Sequence, residues 1–391
     1  LDTAGKVLHW TTAAVLGRLA EPVPHDSPVC LDSATAWFAH GDSERQRTFA
    51  NLAALAGINW IRDRLRWREM QPAPDEFTST GTYDTAAAIQ SEAGLKVLQV
   101  FHDTPPWAVE DDYGRGQFPR DLRVAYRFGR EMAERFRGEV QAWEPWNEAN
   151  ISHFGSHTVD EMCSYQKAAY LAFKAGDPNV TVGWNVQAAI PTTRTTVGVL
   201  ANEAWPYYDT YNIHTYDWAH DYRRLWAPAR EAACGRPLWL TEADRGIDYA
   251  TGPPRHDLTP HHERLKAEYM AHEYASSFAA GCNRHFHFIL GHYTESRNRV
   301  QFGLLRENMT PRPAYVALAA LGRLLAGARC LGRMETTDDP NVWVVAFRGR
   351  PNGRDGDVLI AWAEARADWA GRGSYAADWK HFARWCRLKG T

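Results

Sequence analysis

The chain has 391 residues, 45% of them hydrophobic and 23% charged, which is too apolar for a disordered protein and too long for one small domain. Its formal net charge of −3 excludes a generally basic surface, so no nucleic-acid partner is expected. No apolar run approaches the roughly 18–20 residues that span a bilayer, so no membrane partner is expected either. Aromatic residues are abundant, with 17 Trp, 16 Tyr and 15 Phe, and planar rings serve equally as core material and as platforms for sugar faces. Six cysteines (Cys30, Cys163, Cys234, Cys282, Cys330, Cys386) contain no Cys-x-x-Cys pair, which leaves room for one or two bridges but not for a zinc framework.

In chain order, the first β run is 29–31. The spacing of Phe49, Leu52 and Leu55 predicts a helix over 43–56, closed by Gly57. Strand 59–65, helix 83–93 and strand 96–101 follow, then helix 122–136, strand 140–146, helix 159–176 and strand 180–184. Strand 211–214 comes next, and a helix around 222–233 leads through Gly235 to strand 237–241. Helix 263–280, strand 284–289 and helix 314–325 end the series. About eight strand-then-helix units imply a parallel sheet, and that number suits a closed (β/α)8 TIM barrel better than an open sheet. No glycine-rich phosphate loop follows the first strand.

The ends read differently. Runs 342–347 and 358–363 flank a turn-rich stretch with Asn-Gly and Asp-Gly, which predicts a hairpin, and 6–10 reads as a further strand. The expected fold class is α/β: a (β/α)8 barrel over residues 28–327, with a small β-rich, sandwich-like module from residues 1–27 and 328–391. The chain opens at Leu1, and Arg18 closes the short apolar stretch Ala13-Ala14-Val15-Leu16, so it reads as a processed or trimmed chain without a visible signal peptide.

In such barrels chemistry sits at the C-terminal ends of the strands. Those positions hold Arg62, Arg64 and Trp67 on strand two, and His102-Asp103 then Pro105-Pro106-Trp107 on strand three. Strand four ends at Trp146, Asn147 and Glu148, strand five at Trp184-Asn185, strand six at His214 and Tyr216, and strand seven at Glu242. Glu148 and Glu242 therefore face one another across the mouth. Paired carboxylates are what glycosidic cleavage needs, one protonated for the leaving oxygen and one ionised. Trp143, Pro145 and Trp146 are expected to surround Glu148 and keep it protonated, while arginine and tyrosine favour a charged Glu242.

Two rivals compete with this reading. One is a barrel that binds carbohydrate and has lost catalysis. The other is a metal-dependent hydrolase using the His-x-His pair His285 and His287, although such sites want that pair on an early strand. Arg64 and Arg245 raise the question of an acidic sugar, against the plainer reading of solvated or ion-paired arginines.

The strand-end runs resemble the clan A glycoside hydrolases. Trp143-Glu-Pro-Trp-Asn-Glu148 is similar to the Asn-Glu signature of strand four, and Leu238-Trp-Leu-Thr-Glu242 to the nucleophile strand seven. Gly57-Ile-Asn-Trp-Ile-Arg62, followed by Trp67 and Pro72, matches strand two. Residues 101–108 resemble the strand-three Pro-Pro-Trp-Ala segment, and His214-Thr-Tyr216 the strand-six site. The five motifs stand in order over 28–327, nearest to families 39 and 5.

The resemblance implies a retaining β-glycosidase working by double displacement through a covalent glycosyl-enzyme. Glu148 is then the general acid/base and Glu242 the nucleophile, with no metal or cofactor in the reaction. It further implies that Asn147 binds the sugar 2-hydroxyl, Tyr216 orients Glu242 and Arg62 lies beneath it. His102 and His214 line the sugar subsite. Trp184, at the end of strand five, reads equally as a sugar platform and as core packing. At strand eight the clan's usual Trp is absent from Arg284-His-Phe-His-Phe-Ile-Leu290, which leaves Phe288 or Tyr293 as substitutes. The partner is an oligosaccharide, polysaccharide or glycoside. Loops 110–120 and 243–262 are expected to close subsites and to favour exo or short-cleft action. A secreted or periplasmic location is favoured over a cytoplasmic one.

Overall fold

The computed structural model describes residues 12–109, 116–248, 258–296, 299–334 and 342–363. The expected strand at 6–10, parts of both expected subsite loops (110–115 and 249–257), and the stretch 364–391 with Cys386 lie outside the described residues.

Eight parallel strands form one sheet: β1 (Val29–Asp32), β2 (Trp60–Arg66), β3 (Lys96–His102), β4 (Ala142–Glu144), β5 (Thr181–Val182), β6 (Tyr211–Thr215), β7 (Leu238–Ala243) and β8 (Arg284–Phe288). Their order runs β5, β4, β3, β2, β1, β8, β7, β6. The two ends of that series meet. Gly183 and Thr210 form a parallel bridge, the Trp184 N–H donates to the Thr210 carbonyl at 2.9 Å, and the Asp209 N–H donates to the Val182 carbonyl at 2.7 Å. The sheet is thus a closed (β/α)8 barrel.

Period-two alternation decides what each strand presents to the inside and the outside. Val29, Leu31, Ile61, Val97, Trp143 and Val182 join the main core under the helices. Cys30, Trp60, Leu98, Ala142, Trp239 and Phe286 form a separate apolar cluster that plugs the barrel interior. Two residues further along β1, β2 and β4, the same inward face carries Asp32, Arg62 and Glu144, all fully buried. The apolar plug therefore gives way to a charged layer just below the C-terminal mouth.

Local chemistry explains most element boundaries. Helix Val159–Gly176 coincides with its sequence expectation because Thr158 and Glu161 make a reciprocal capping box. Strand β4 stops at Glu144 because Pro145 brings no N–H to the ladder. The expected helix 222–233 is broken into Tyr222–Leu225 and Ala227–Ala232, since Pro228 fits only the first turn of a helix. A helix not anticipated from sequence, Thr193–Ala201, separates β5 from β6.

Strands Arg329–Met334, Val342–Gly349 and Gly356–Ala363 make a three-stranded antiparallel sheet, of which the latter two are the expected hairpin. It packs on helix Pro260–Ala279, where Trp362 stacks on His272 (4.7 Å) and Phe347 meets Phe278 (6.0 Å). Residues 12–27 contain no strand and run along the barrel, the His25 carbonyl accepting from Trp60 Nε1 at 3.1 Å. Among the described residues the five cysteines are free thiols, and no helix is long and apolar enough to cross a membrane.

Candidate active site

Arg62, inside the barrel on β2, makes five charge-assisted hydrogen bonds. Nη1 donates to Asp32 Oδ2 (3.0 Å) and Glu242 Oε1 (2.5 Å), Nη2 to Asn147 Oδ1 (2.7 Å) and Glu144 Oε1 (3.2 Å), and Nε to Glu144 Oε2 (3.3 Å). Arg64, two residues on, shares that face. It grips Asp32 through both terminal nitrogens and donates to Glu242 Oε1 at 2.9 Å. Such fork geometry belongs to arginine, and it fixes the carboxylates rather than merely neutralising them.

Glu242 therefore has Oε1 held by two guanidinium groups and Oε2 held by the Tyr216 hydroxyl at 2.8 Å. Burial alone would raise its carboxyl, but the charges of His214, Arg62 and Arg64 and the Tyr216 hydrogen bond bring it down to about 2. His214 shows the converse balance. Burial would lower its imidazole, yet the Glu242 charge and hydrogen bonds to Glu144 and Glu148 push it up to about 9.

His214 Nδ1 lies 3.0 Å from Glu148 Oε1 and 3.6 Å from Glu242 Oε2. Carboxyl oxygens of Glu148 and Glu242 approach within 4.8 Å of each other across that ring nitrogen. Glu148 follows β4 with φ 45°, a left-handed backbone, and its side chain is 15% exposed. The expected aromatic surround is corrected here. Trp143 turns outward to stack on Phe173 (5.0 Å), and Trp146 packs against Phe118 (5.0 Å) and Tyr165 (5.5 Å). Strand alternation turns Trp143 outward, Trp146 lies past the end of β4 where the chain has left the strand, and His214 adjoins the carboxylate instead.

Asn147 accepts from Arg62 through Oδ1, and because arginine only donates, the amide NH2 is left for another acceptor. His102 sits near the mouth with Nδ1 2.9 Å from Asp103 Oδ1, its ring edge-on to Trp37 (5.3 Å). Trp184 does not reach the site. It is fully buried between Tyr211 (5.8 Å) and Tyr208 (5.7 Å), because its chain position past β5 faces the helices, and its assignment to substrate binding is withdrawn. Arg245 donates to the Tyr216 carbonyl and lies 4.4 Å over Trp218, while Arg64 is engaged by Asp32 and Glu242. Neither supports an acidic-sugar pocket.

At the end of β8, Phe288 is buried among Tyr216 (6.1 Å) and Phe302 (5.3 Å), whereas Tyr293, five residues on, is 38% exposed. Burial, with the charges of Glu295, Glu242 and Glu148 working against Arg64, raises the Tyr293 hydroxyl above its ordinary range. Sequence reading did not single out Asp32, Glu144, Asn212 or Trp37. Asn212 Nδ2 donates to Glu144 Oε2 at 3.2 Å, and Trp37 is 36% exposed with Arg66 5.1 Å over its ring. The signal for Asp32 and Glu144 was present: each is a charged residue at the inward parity of a strand whose neighbouring inward position is apolar. His285 and His287 both point out of the barrel, away from this mouth, so they cannot serve the rival metal-dependent reaction there.

No protein-family model matches the chain. Solved structures share its fold. A family 39 glycoside hydrolase from Bacteroides cellulosilyticus superposes with a TM-score of 0.67 at 19% identity, covering 92% of this chain and 76% of that one. A GH30 endoxylanase from Clostridium papyrosolvens gives 0.60 at 17% identity, over 90% and 84% of the two chains. A GH39 β-xylosidase from Caulobacter crescentus gives 0.58 at 19%, over 85% and 79%. Sequence similarity is local: a phospho-cellobiase from Klebsiella oxytoca is 27% identical over 143 residues, 35% of this chain. The match spans 30% of that relative's length. The chain has the (β/α)8 fold of the clan A glycoside hydrolases.

Proposed function

We propose that the protein is a glycoside hydrolase that cleaves a β-linked glycoside with retention of configuration. The observation that carries this reading is the close approach, within 4.8 Å, of Glu148 and Glu242, one of them locked as an anion. A separation of about 5–5.5 Å belongs to double displacement, whereas roughly 6.5–9.5 Å leaves room for the attacking water of an inverting enzyme. In the first step Glu242 attacks the anomeric carbon while Glu148 gives its proton to the departing oxygen, forming a glycosyl ester. In the second, Glu148 takes a proton from water, which attacks the same carbon and releases Glu242. Asn147 binds the sugar 2-hydroxyl, Tyr216 and Arg62 orient the nucleophile, and His102, Trp37 and Tyr293 border the sugar. The barrel over 28–327 carries the reaction, with the terminal residues as an accessory module. Of the two expected substitutes for the strand-eight tryptophan, Phe288 and Tyr293, the more exposed Tyr293 takes that place in this reading.

The test is a screen of aryl β-glycosides and β-linked oligosaccharides, with the anomer released first followed by proton NMR. Glu242→Ala is expected to abolish turnover of every substrate. Glu148→Ala is expected to spare glycosides with very good leaving groups, since these need little protonation. Wild-type rates in both variants would remove the assignment. Binding of an oligosaccharide with no turnover in the unmodified protein would move the carbohydrate-binding reading ahead.

A further inference from the structure

We infer that His285, His287 and Glu273 form a structural site for a divalent transition-metal ion, zinc above all, in the wall between β8 and helix Pro260–Ala279. It is separate from the mouth. Phe286 of β8 points into the barrel plug, so alternation sends His285 and His287 to the opposite face, against that helix, where Glu273 meets them. All three side chains are fully buried, and one donor atom from each lies within 4.8 Å of the other two. Glu273 Oε2 is 2.9 Å from His287 Nδ1 and 3.7 Å from His285 Nε2. Tetrahedral zinc with bonds of about 2.0–2.2 Å holds neighbouring donors about 3.3–3.6 Å apart, and the two observed spacings bracket that range.

The hydrogen bonds around the cluster point to a cation. The Ser277 hydroxyl donates to the Tyr274 carbonyl (2.9 Å), so its oxygen is free to accept from His285 Nδ1, 2.8 Å away. That arrangement places the proton of a neutral His285 on Nδ1 and leaves Nε2 as a bare lone pair facing the Glu273 carboxylate. Two acceptors turned on one another are unfavourable unless something positive lies between them, and 3.7 Å is too long for a shared proton. Both His285 Nε2 and Glu273 Oε1 are buried and without a hydrogen-bond partner. His287 Nε2 is likewise buried without a hydrogen-bond partner, with the Asp244 carboxylate 3.8 Å away. Lys266 Nζ meets Asp244 at 2.5 Å and is matched there, so Glu273 keeps His287 Nδ1, 2.9 Å from Oε2, as its partner, a contact that a bound ion would replace. Two imidazoles and a carboxylate make a donor set that suits zinc.

Such an ion would tie β8 to the helix that precedes it. The test is to unfold the full chain in denaturant with a chelator, then refold it with and without zinc and remove unbound metal by desalting. Elemental analysis is expected to give about one zinc per chain, with a higher Tm for the zinc-refolded protein. Refolding with cobalt(II) is expected to give the intense visible absorption of a four-coordinate ion. The double variant His285→Gln/His287→Gln, checked for folding by circular dichroism, is expected to hold no zinc. Should that variant fail to fold, the stoichiometry and cobalt spectrum of the unmodified protein decide alone. Less than about 0.1 zinc per chain, with the same Tm in both preparations, would overturn the proposal and leave a protonated His–Glu pair in its place.

Discussion

Arg62 is the residue on which the candidate site turns. It is wholly inside the barrel and bonded to Asp32, Glu144, Asn147 and Glu242, so its loss leaves several buried acceptors without a cation. Arg62→Met removes that cation while keeping much of the bulk, and is expected to cost about 3–5 kcal/mol in urea unfolding, the range for breaking a buried ion pair. A loss within experimental error would show that the network is not holding the strands. The site's own pH dependence follows from Glu242 and His214. Glu242 is lowered from 4.5 to about 2, so its stabilising contribution is present above pH 4.5 and is lost as pH falls through 2. His214 is raised from 6.5 to about 9, so its contribution is complete below pH 6.5 and is lost as pH rises through 9. Tm is therefore expected to fall between pH 6.5 and 9, and the fall to flatten in His214→Gln. An equal slope in that variant would assign the effect to another group.

At the scale of elements, close backbone approach sets tolerance to change. A Cβ on Gly322 of helix Pro313–Leu324 would collide with the Ala56 carbonyl oxygen, a backbone atom that cannot swing aside. Gly94, just past the end of helix Thr82–Glu92, has φ +76°, but a Cβ there meets nothing within 4 Å. Gly322→Ala is expected to destabilise by about 1–3 kcal/mol through overpacking, and Gly94→Ala only by the left-handed backbone term of about 1–2 kcal/mol. Urea midpoints compare the two, and a neutral Gly322→Ala would mean the helices can separate freely. The same scale explains what sequence could and could not reveal. Helix 159–176 was legible because its cap is written in Thr158 and Glu161. Helix Thr193–Ala201 was not, because Thr193, Thr195, Thr196 and Val197 are β-branched and packing supplies what propensity does not.

For the whole molecule, the three-stranded sheet and the barrel share a core. Trp362 is buried between His272 of the barrel helix and its cross-strand partner Trp343 (5.6 Å). Trp362→Ala is expected to cost about 3–5 kcal/mol and to lower the Tm of a single calorimetric transition. Two transitions, with only one of them moved, would make the sheet an independent unit.

Strand and helix periods, glycine stops and the order of strand-end motifs are local properties, so a closed barrel with Glu148 and Glu242 at its mouth was readable from the sequence. What the tertiary structure decided depends on partners 30 to 180 positions apart, such as Arg62 with Asp32 and with Glu242. Only barrel closure shows that Asp32 and Glu144 join the arginines, that His214 rather than a tryptophan touches Glu148, and that Trp184 belongs to the core. Side-chain parity alternates within every strand, but which parity faces the interior is determined by how the sheet curls.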